Sequence, residues 1–319
     1  MSRCEVKIIL ASKPANGGPT LWTIRSRYWR AIHAEFLTHR VMSRNSGSSR
    51  AIPGAKMLDM VRNDTAGPEH WGANQKGMQA GAENNALVVI KPELWHAAKL
   101  FFESQGLSPS EALARSEPPV AMSREMAWKF SAYLAALMSE SFFDAGYHKQ
   151  VSNRITEPYQ WMNVVKTSTW WDNFFKLRRH KDAQPEFKDL ADAIWNAMQE
   201  HVEKGLVQVL KRGEWHLPYI KPEESLLPLE TKLELSTARC AHTSYQTVDG
   251  QQMTLDKAHD VFASLLGGDP IHASPAEHQA QLGGEFSYTS EFVSNLAAPW
   301  LQHRKFIEYG MKPWESGVR

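Results

Sequence analysis

Residues 38 to 50, THRVMSRNSGSSR, constrain this chain most: they set two cations, a run of hydroxyls and a closing arginine at fixed intervals, the composition of an anion-binding loop. His39 and Arg40 come first. Ser43, Asn45, Ser46, Ser48 and Ser49 follow with Gly47 among them, and Arg50 closes the run before Ala51, Ile52 and Pro53. Small hydroxylated residues around a glycine let backbone N–H groups approach a phosphate closely, and arginine adds a planar fork of donors matched to its oxygens. Composition alone describes a solvated, serine-rich turn equally well.

The spacing favours the first reading. It resembles the signature RHRxxSxNxxSxR of the flavin-dependent thymidylate synthases. His39, Arg40, Ser43, Asn45, Ser48 and Arg50 stand on matching positions, and Thr38 stands where the family has its first arginine. Glu35 replaces the family's usual Gln, Ser46 its usual Glu and Ala51 its usual Tyr. These departures fall on positions that in the family touch substrate and flavin, so the substrate itself stays open. On this resemblance Glu35, Thr38, Ser46, Gly47, Ser48, Ser49 and Arg50 are expected on the substrate, and Thr38, His39, Arg40, Ser43 and Asn45 on the flavin.

A second segment, residues 153–187, carries apolar and aromatic residues at helical intervals (Trp161, Val164, Val165, then Trp170, Phe174, Leu177), which predicts amphipathic helix around a short break near Thr167 to Thr169. It resembles the family stretch that begins AR and ends NxxxxR before a helix containing AQ. The resemblance implies that Arg154 holds the nucleotide phosphate, that Asn173 and Ser168 lie on the flavin side, and that Arg178 polarises the pyrimidine. Asp182 falls where the family commonly has His, with His180 two residues away. The flanking Arg179 and Lys181 read as a solvated basic face.

Two further segments, STARCAHTSY (236–245) and HASPAEH (272–278), resemble stretches that in the family precede the signature. After them APWLQHRKFIEYG parallels AEFLTHRVMSRN, so that a leucine, one residue and then His-Arg recur at Leu37 to Arg40 and Leu301 to Arg304. The interval from His278 to His303 is 25 residues, close to that between the family's EH and its signature. The pattern predicts a partial internal duplication in which one copy keeps the nucleotide loop and the other a flavin-side histidine, His278. Ordinary core histidines at 278 and 303 fit the same words.

With 319 residues the chain has length for one large domain or two modest ones, and 42% hydrophobic with 22% charged residues is ordinary for a globular protein. Lys and Arg total 36 against 35 Asp and Glu, so no global basic field favours polymeric nucleic acid, and a free nucleotide suits the balance better. Cys4 and Cys240 form no CxxC pair, which argues against a structural zinc site and fits a reducing compartment. No stretch reaches the roughly 20 apolar residues of a membrane span and the N-terminus lacks a signal peptide, so a cytoplasmic location is expected.

Along the chain, CEVKIIL is a strand candidate and PANGGPT a turn, and residues 21–40 read as a helix through Trp22, Trp29, Ile32, Phe36 and Leu37. Residues 53–81 read as a long ordered loop that buries Trp71 and Met78, and helices are predicted over 92–104, 122–147 and about 186–205. GEWHLPYIKPEE is the predicted boundary between a main domain, 1–212, and a C-terminal pseudo-repeat, 213–319. Trp71 and Trp215, in loops, are candidates to line a planar cofactor. Cys240, beside Arg239 and His242, reads as structural, since the family needs no protein nucleophile.

The resemblance implies a mixed α+β fold, a twisted antiparallel sheet with long helices, assembled as a tetramer with sites between subunits; a duplicated chain could equally be a dimer. It implies one-carbon transfer to C5 of dUMP, giving dTMP, with methylenetetrahydrofolate as donor, FAD as cofactor and NADPH as reductant. Two alternatives stay open: a dUMP or dCMP hydroxymethylase on the same scaffold, and a non-catalytic nucleotide- or nucleic-acid-binding relative.

Overall fold

The computed structural model describes residues 4–106, 120–242, 253–283 and 290–312; the end of STARCAHTSY lies outside them. Strand β1 (Glu5–Pro14) turns through Gly17 and Gly18, whose φ of 90° and 133° only glycine adopts without strain, into β2 (Leu21–Trp29). The two pair antiparallel with a register shift between Ile8 and Leu10. The helix expected over 21–40 is therefore wrong for its first half. Leu21 to Tyr28 lie in a sheet interior, with Arg25 and Arg27 alternating between buried neighbours, and only Arg30–Ile32 and α1 (His33–Phe36) are helical.

Beyond the loop strand β3 (Ser43–Ser46), a helix α2 (Gly54–Asn63) buries Met57, Leu58 and Val61, which corrects the long loop predicted from residue 53. The true loop starts at Asp64, and Met78 at its tip is fully exposed. A small hairpin of β4 (Val88–Val89) and β5 (Ala121–Met122) brackets α3 (Trp95–Ser104). Helix α4 (Arg124–Asp144) starts where the Ser123 hydroxyl accepts the Met126 N–H at 3.2 Å. After α5 (Lys149–Ser152) and a 3-10 stretch over Asn153–Tyr159 comes β6 (Trp161–Ser168), where helix was expected. β6 is buried on both faces between β2 and β3, so it lacks the apolar/polar alternation that marks a half-buried strand. Helices α6 (Asp172–Arg178) and α7 (Pro185–Glu203) follow, then β7 (Gln208–Leu210).

The main sheet has the order β3-β6-β2-β1-β7, antiparallel except for the parallel β1/β7 pair. The result is a mixed α/β fold around a mostly antiparallel sheet. One face packs Ile24, Tyr28, Met162 and Val164 against Phe187, Leu190, Ile194 and Met198 of α7. Each such side chain contributes about 1.5–3 kcal/mol on burial, against about 1 kcal/mol net per hydrogen bond, so this face dominates the driving force. Lys166 is the exception on it: fully buried, its ammonium has no hydrogen-bond partner and sits 4.5 Å from the Phe36 ring centroid and 5.5 Å from that of Tyr28. Burial lowers its pKa from 10.5 to about 7.

The opposite face carries a row of hydroxyls. Thr23 stands opposite Thr167 and Thr167 opposite Ser43 across neighbouring strands, with Ser12 further along β1. The C-terminal segment covers this row: β8 (Trp215–His216), α8 (Leu229–Ala241), α9 (Leu255–Leu266), β9 (Ala280–Leu282), α10 (Ser290–Val293), β10 (Trp300–Gln302) and α11 (His303–Glu308). β8, β9 and β10 form a three-stranded sheet of their own. Leu21 and Leu210 share an apolar cluster with Ala280, Leu282, Leu296 and Trp300. His216 Nδ1 lies 2.8 Å from the Ser12 hydroxyl and its Nε2 2.8 Å from that of Thr23; Thr23 reaches Thr167 at 2.7 Å, and Thr167 reaches His278 Nδ1 at 2.8 Å. The two Leu-x-His-Arg words differ in conformation: Leu37 to Arg40 is a turn, whereas Leu301 ends in β10 and His303 opens α11.

Candidate active site

The turn after α1 gathers Glu35, Thr38 and His39, because the Thr38 and His39 N–H groups return to the carbonyls of Glu35 (3.1 Å) and Phe36 (3.2 Å). Arg178, in the last turn of α6, reaches this turn across 139 residues of sequence. Its Nε donates to His39 Nε2 at 2.8 Å, one Nη pairs with the Glu35 carboxylate and the other lies 3.4 Å from the Thr38 hydroxyl. The guanidinium lies 4.4 Å over the Phe187 ring, so packing and hydrogen bonds fix its plane. Since Nε2 accepts, the His39 proton sits on Nδ1. Burial, then Arg178 and Arg44, lower the pKa of His39 to about 4, so the ring is neutral near pH 7. Arg44 also donates to the His39 carbonyl at 2.8 Å. The cluster offers a fixed planar cation beside a carboxylate, a pair that can read the carbonyl, imide or amino edge of a pyrimidine.

At the other end of β3 the loop is held from within. The Gly47 N–H donates to the Asn163 carbonyl at 2.8 Å, the Ser48 hydroxyl accepts the Arg50 N–H at 3.2 Å, and the Ser49 hydroxyl donates to Glu157 at 3.2 Å. Asn153 Nδ2 donates to the carbonyls of Ser49 (2.7 Å) and Ile52 (3.0 Å). Asn153 thereby places its neighbour Arg154 beside the loop, and the side chains of Arg50 and Arg154 both face solvent. Ser46, half-buried, pairs with Val164 in the sheet. Three strand steps separate Ser43 from Ser46, about 10 Å.

The positions expected on the flavin side divide. Thr38, Arg40 and Asn173 are exposed. His39 is buried against Arg178, the Ser168 hydroxyl donates to the Val41 carbonyl at 2.8 Å, and Asn45 Nδ2 donates to the Cys240 carbonyl at 3.1 Å. Ser43 is enclosed by Asn295 and Gln302, and His278 is fully buried with its Nε2 lacking a partner. If Ser12 donates to Gln208 (3.3 Å), each group along the Ser12–His216–Thr23–Thr167–His278 chain passes one proton, which leaves His278 Nε2 a bare acceptor. A flavin meets three accessible residues of this set, so the full set does not fit the cofactor as the chain is folded. Trp215, packed against Phe306 and His303 at 8% exposure, is no platform for a planar group, and Trp71 stands edge-on to Trp128. Burial raises the Cys240 thiol far above the thiol range, which leaves no reactive thiolate there. Arg179 pairs with Asp192 at 2.6 Å and lies over Trp195. Among the described residues no group of three His, Cys, Asp or Glu could hold a metal, and no helix is long and apolar enough to cross a membrane.

Sequence reasoning missed Arg44, Asn153, Glu157, Asn295 and Gln302. Arg44 occupies an unspecified position inside the signature; the others act through contacts more than 100 residues away, which no local pattern announces.

No protein-family model and no curated protein matches the chain. Solved structures match in part. A UMP/dUMP methylase PolB from Streptomyces cacaoi bound with 5-Br UMP is 12% identical over 65% of this chain and 91% of that one, with a TM-score of 0.39. The same methylase bound with 5-Br dUMP gives 12%, 63%, 91% and 0.36. A flavin dependent thymidylate synthase ThyX from Helicobacter pylori, complexed with FAD and dUMP, is 16% identical over 59% of this chain and 74% of that one, with a TM-score of 0.32.

Proposed function

We propose that the chain is an enzyme that modifies C5 of a pyrimidine deoxynucleotide, with dUMP as substrate and methylenetetrahydrofolate as one-carbon donor. The observation that carries the reading is the junction of Arg178 with Glu35, Thr38 and His39, because it joins the two segments that independently resemble the thymidylate synthase motifs. Arg178 hydrogen-bonds the pyrimidine carbonyl edge and stabilises negative charge as C5 becomes nucleophilic, a contribution of about 3 kcal/mol for one aimed donor in a dry site. Neutral His39 holds the guanidinium plane. Arg50 and Arg154 anchor the 5′-phosphate.

A second reading, hydroxymethylation of dUMP or dCMP, is favoured by the enclosed flavin-side residues. The methylene of the folate enters at the formaldehyde level, so a methyl product needs a hydride equivalent, which FAD reduced by NADPH would supply, whereas a hydroxymethyl product needs only water. The Glu35 carboxylate beside Arg178 also suits the amino group of cytosine. The deciding experiment is anaerobic turnover with methylenetetrahydrofolate, offering dUMP and dCMP separately, with and without FAD and NADPH, with products identified by mass. A methylated product that requires flavin establishes the synthase; a flavin-independent hydroxymethyl product establishes the second reading. Binding of nucleotide without turnover under any condition leaves a non-catalytic binder.

A further inference from the structure

Strand β3 has four residues and lies at the edge of the sheet. β6 pairs one side of it, and among the described residues no strand pairs the other. So short an edge strand is held weakly by its ladder alone. Yet β3 joins the Arg178 cluster to the loop that carries Arg50, and any slip in it moves both ends at once.

The C-terminal segment supplies the missing restraint. The buried Ser43 hydroxyl receives Asn295 Nδ2 at 3.0 Å and Gln302 Nε2 at 3.1 Å, which fills both of its lone pairs and leaves no acceptor for a ligand. Gln302 Nε2 lies 2.9 Å from Asn295 Oδ1 and 3.3 Å from the Glu277 carbonyl, so the two amides brace each other. Two residues on, Asn45 is tied to the Cys240 carbonyl. The same stretch reaches the Arg178 side of the site: the Ala297 N–H donates to the Thr169 hydroxyl at 2.9 Å, three residues before α6 begins. Ser294, which aims Asn295, has φ of 54°, a left-handed conformation that a serine keeps only where its surroundings impose it.

We propose that Asn295 and Gln302 are positioning residues for the nucleotide loop, acting through Ser43, so that the C-terminal segment sets the spacing between the ring-reading and phosphate-binding ends of the site. The proposal rests on the nucleotide-binding reading above. Both side chains are neutral amides, so they act by geometry and not by field. Loss of either weakens nucleotide binding without removing a charge from the site.

The test uses the intact chain with Gln302→Leu, Asn295→Leu and the milder Ser43→Ala, with dUMP titrated calorimetrically. Thermal melting and amide hydrogen exchange over residues 43–46 accompany each variant. The expected result is binding weaker by about tenfold or more in Gln302→Leu. Exchange is faster across β3, and Gln302→Leu with Ser43→Ala together cost no more than the larger single change, because both cut one connection. Binding equal to wild type in Gln302→Leu and Asn295→Leu overturns the proposal. If the unaltered chain fails to bind dUMP, the nucleotide reading itself falls, and unchanged exchange over 43–46 in Gln302→Leu then overturns the positioning role separately.

Discussion

Acidification should unfold this protein above the pH at which its carboxylates protonate, and buried histidines set the size of the effect, three of them most strongly. His216, His278 and His303 are fully or almost fully buried, and burial holds each pKa at about 3 instead of 6.5. His216 and His278 meet only hydroxyls, with no carboxylate to support a charge. In each case the folded pKa lies below the unfolded one. The unfolded chain therefore binds more protons below pH 6.5, and stability is complete above 6.5 and falls as pH drops toward 3. At pH 5 an unfolded histidine is almost fully protonated and a folded one is neutral, which removes about 2 kcal/mol for each group, or about 6 kcal/mol for the three. That is of the order of the whole stability of a domain. Urea unfolding from pH 8 to 4.5 should show a free energy that is flat above pH 7 and then falls with a limiting slope of at least three protons, about 4 kcal/mol per pH unit, made steeper by His33 and His39, which burial holds at about 4. His216→Gln, which keeps hydrogen-bonding capacity without a titrating ring, should reduce that slope by one proton. A midpoint independent of pH between 7 and 5 would refute the reasoning.

Three further outcomes follow from the geometry. Lys166→Met should stabilise the fold at pH 7 by about 1–4 kcal/mol, since it replaces an unpartnered buried amine among aromatic rings with an apolar chain of similar length; a lower urea midpoint would contradict this. Arg50→Ala and Arg154→Ala should each weaken dUMP binding by about tenfold at low salt and less at high salt, while the affinity for deoxyuridine, which lacks the phosphate, stays unchanged in calorimetry. Arg178→Lys keeps the charge but loses the planar fork that meets His39, Glu35 and Thr38, so turnover should fall by about a hundredfold with a small change in melting temperature; retention of activity would remove Arg178 from the mechanism.

Much of the candidate site could be picked out from the sequence because its residues stand in short, dense words. The run from His39 to Arg50 and the arginine at 178 stand out without any structure, and helices α3, α4 and α7 follow from their own periodicity. Strands β2 and β6 did not, for a shared reason. Trp22, Trp29, Trp161 and Val164 fall at intervals that a helix and a strand buried on both faces satisfy alike, and only their pairing with each other decides between them. The hydroxyl row was invisible because a serine or threonine in a strand reads as filler until its partner, about 100 or more residues away, is known.

The two Leu-x-His-Arg words show why a partner says more than a pattern. His39 accepts from Arg178 and faces the candidate site, whereas His303 lies in an apolar cluster against Trp215, and Arg304 is occupied by Glu277 and Glu308. What the C-terminal segment brings to the nucleotide loop is carried by residues the shared word does not emphasise. Gln302, between its Leu and His, reaches both the Glu277 carbonyl and Ser43, and so links HASPAEH to THRVMSRN across the length of the chain. HASPAEH and THRVMSRN, far apart in the chain, meet by folding back, and hydrogen bonds across a buried polar layer hold them together. Such a junction is directional and intolerant of error, since a buried amide or hydroxyl that loses its partner costs about 1–3 kcal/mol whereas a sliding apolar contact costs far less. The polar layer therefore contributes little net stability beside the α7 face and yet fixes the register in which the site is built.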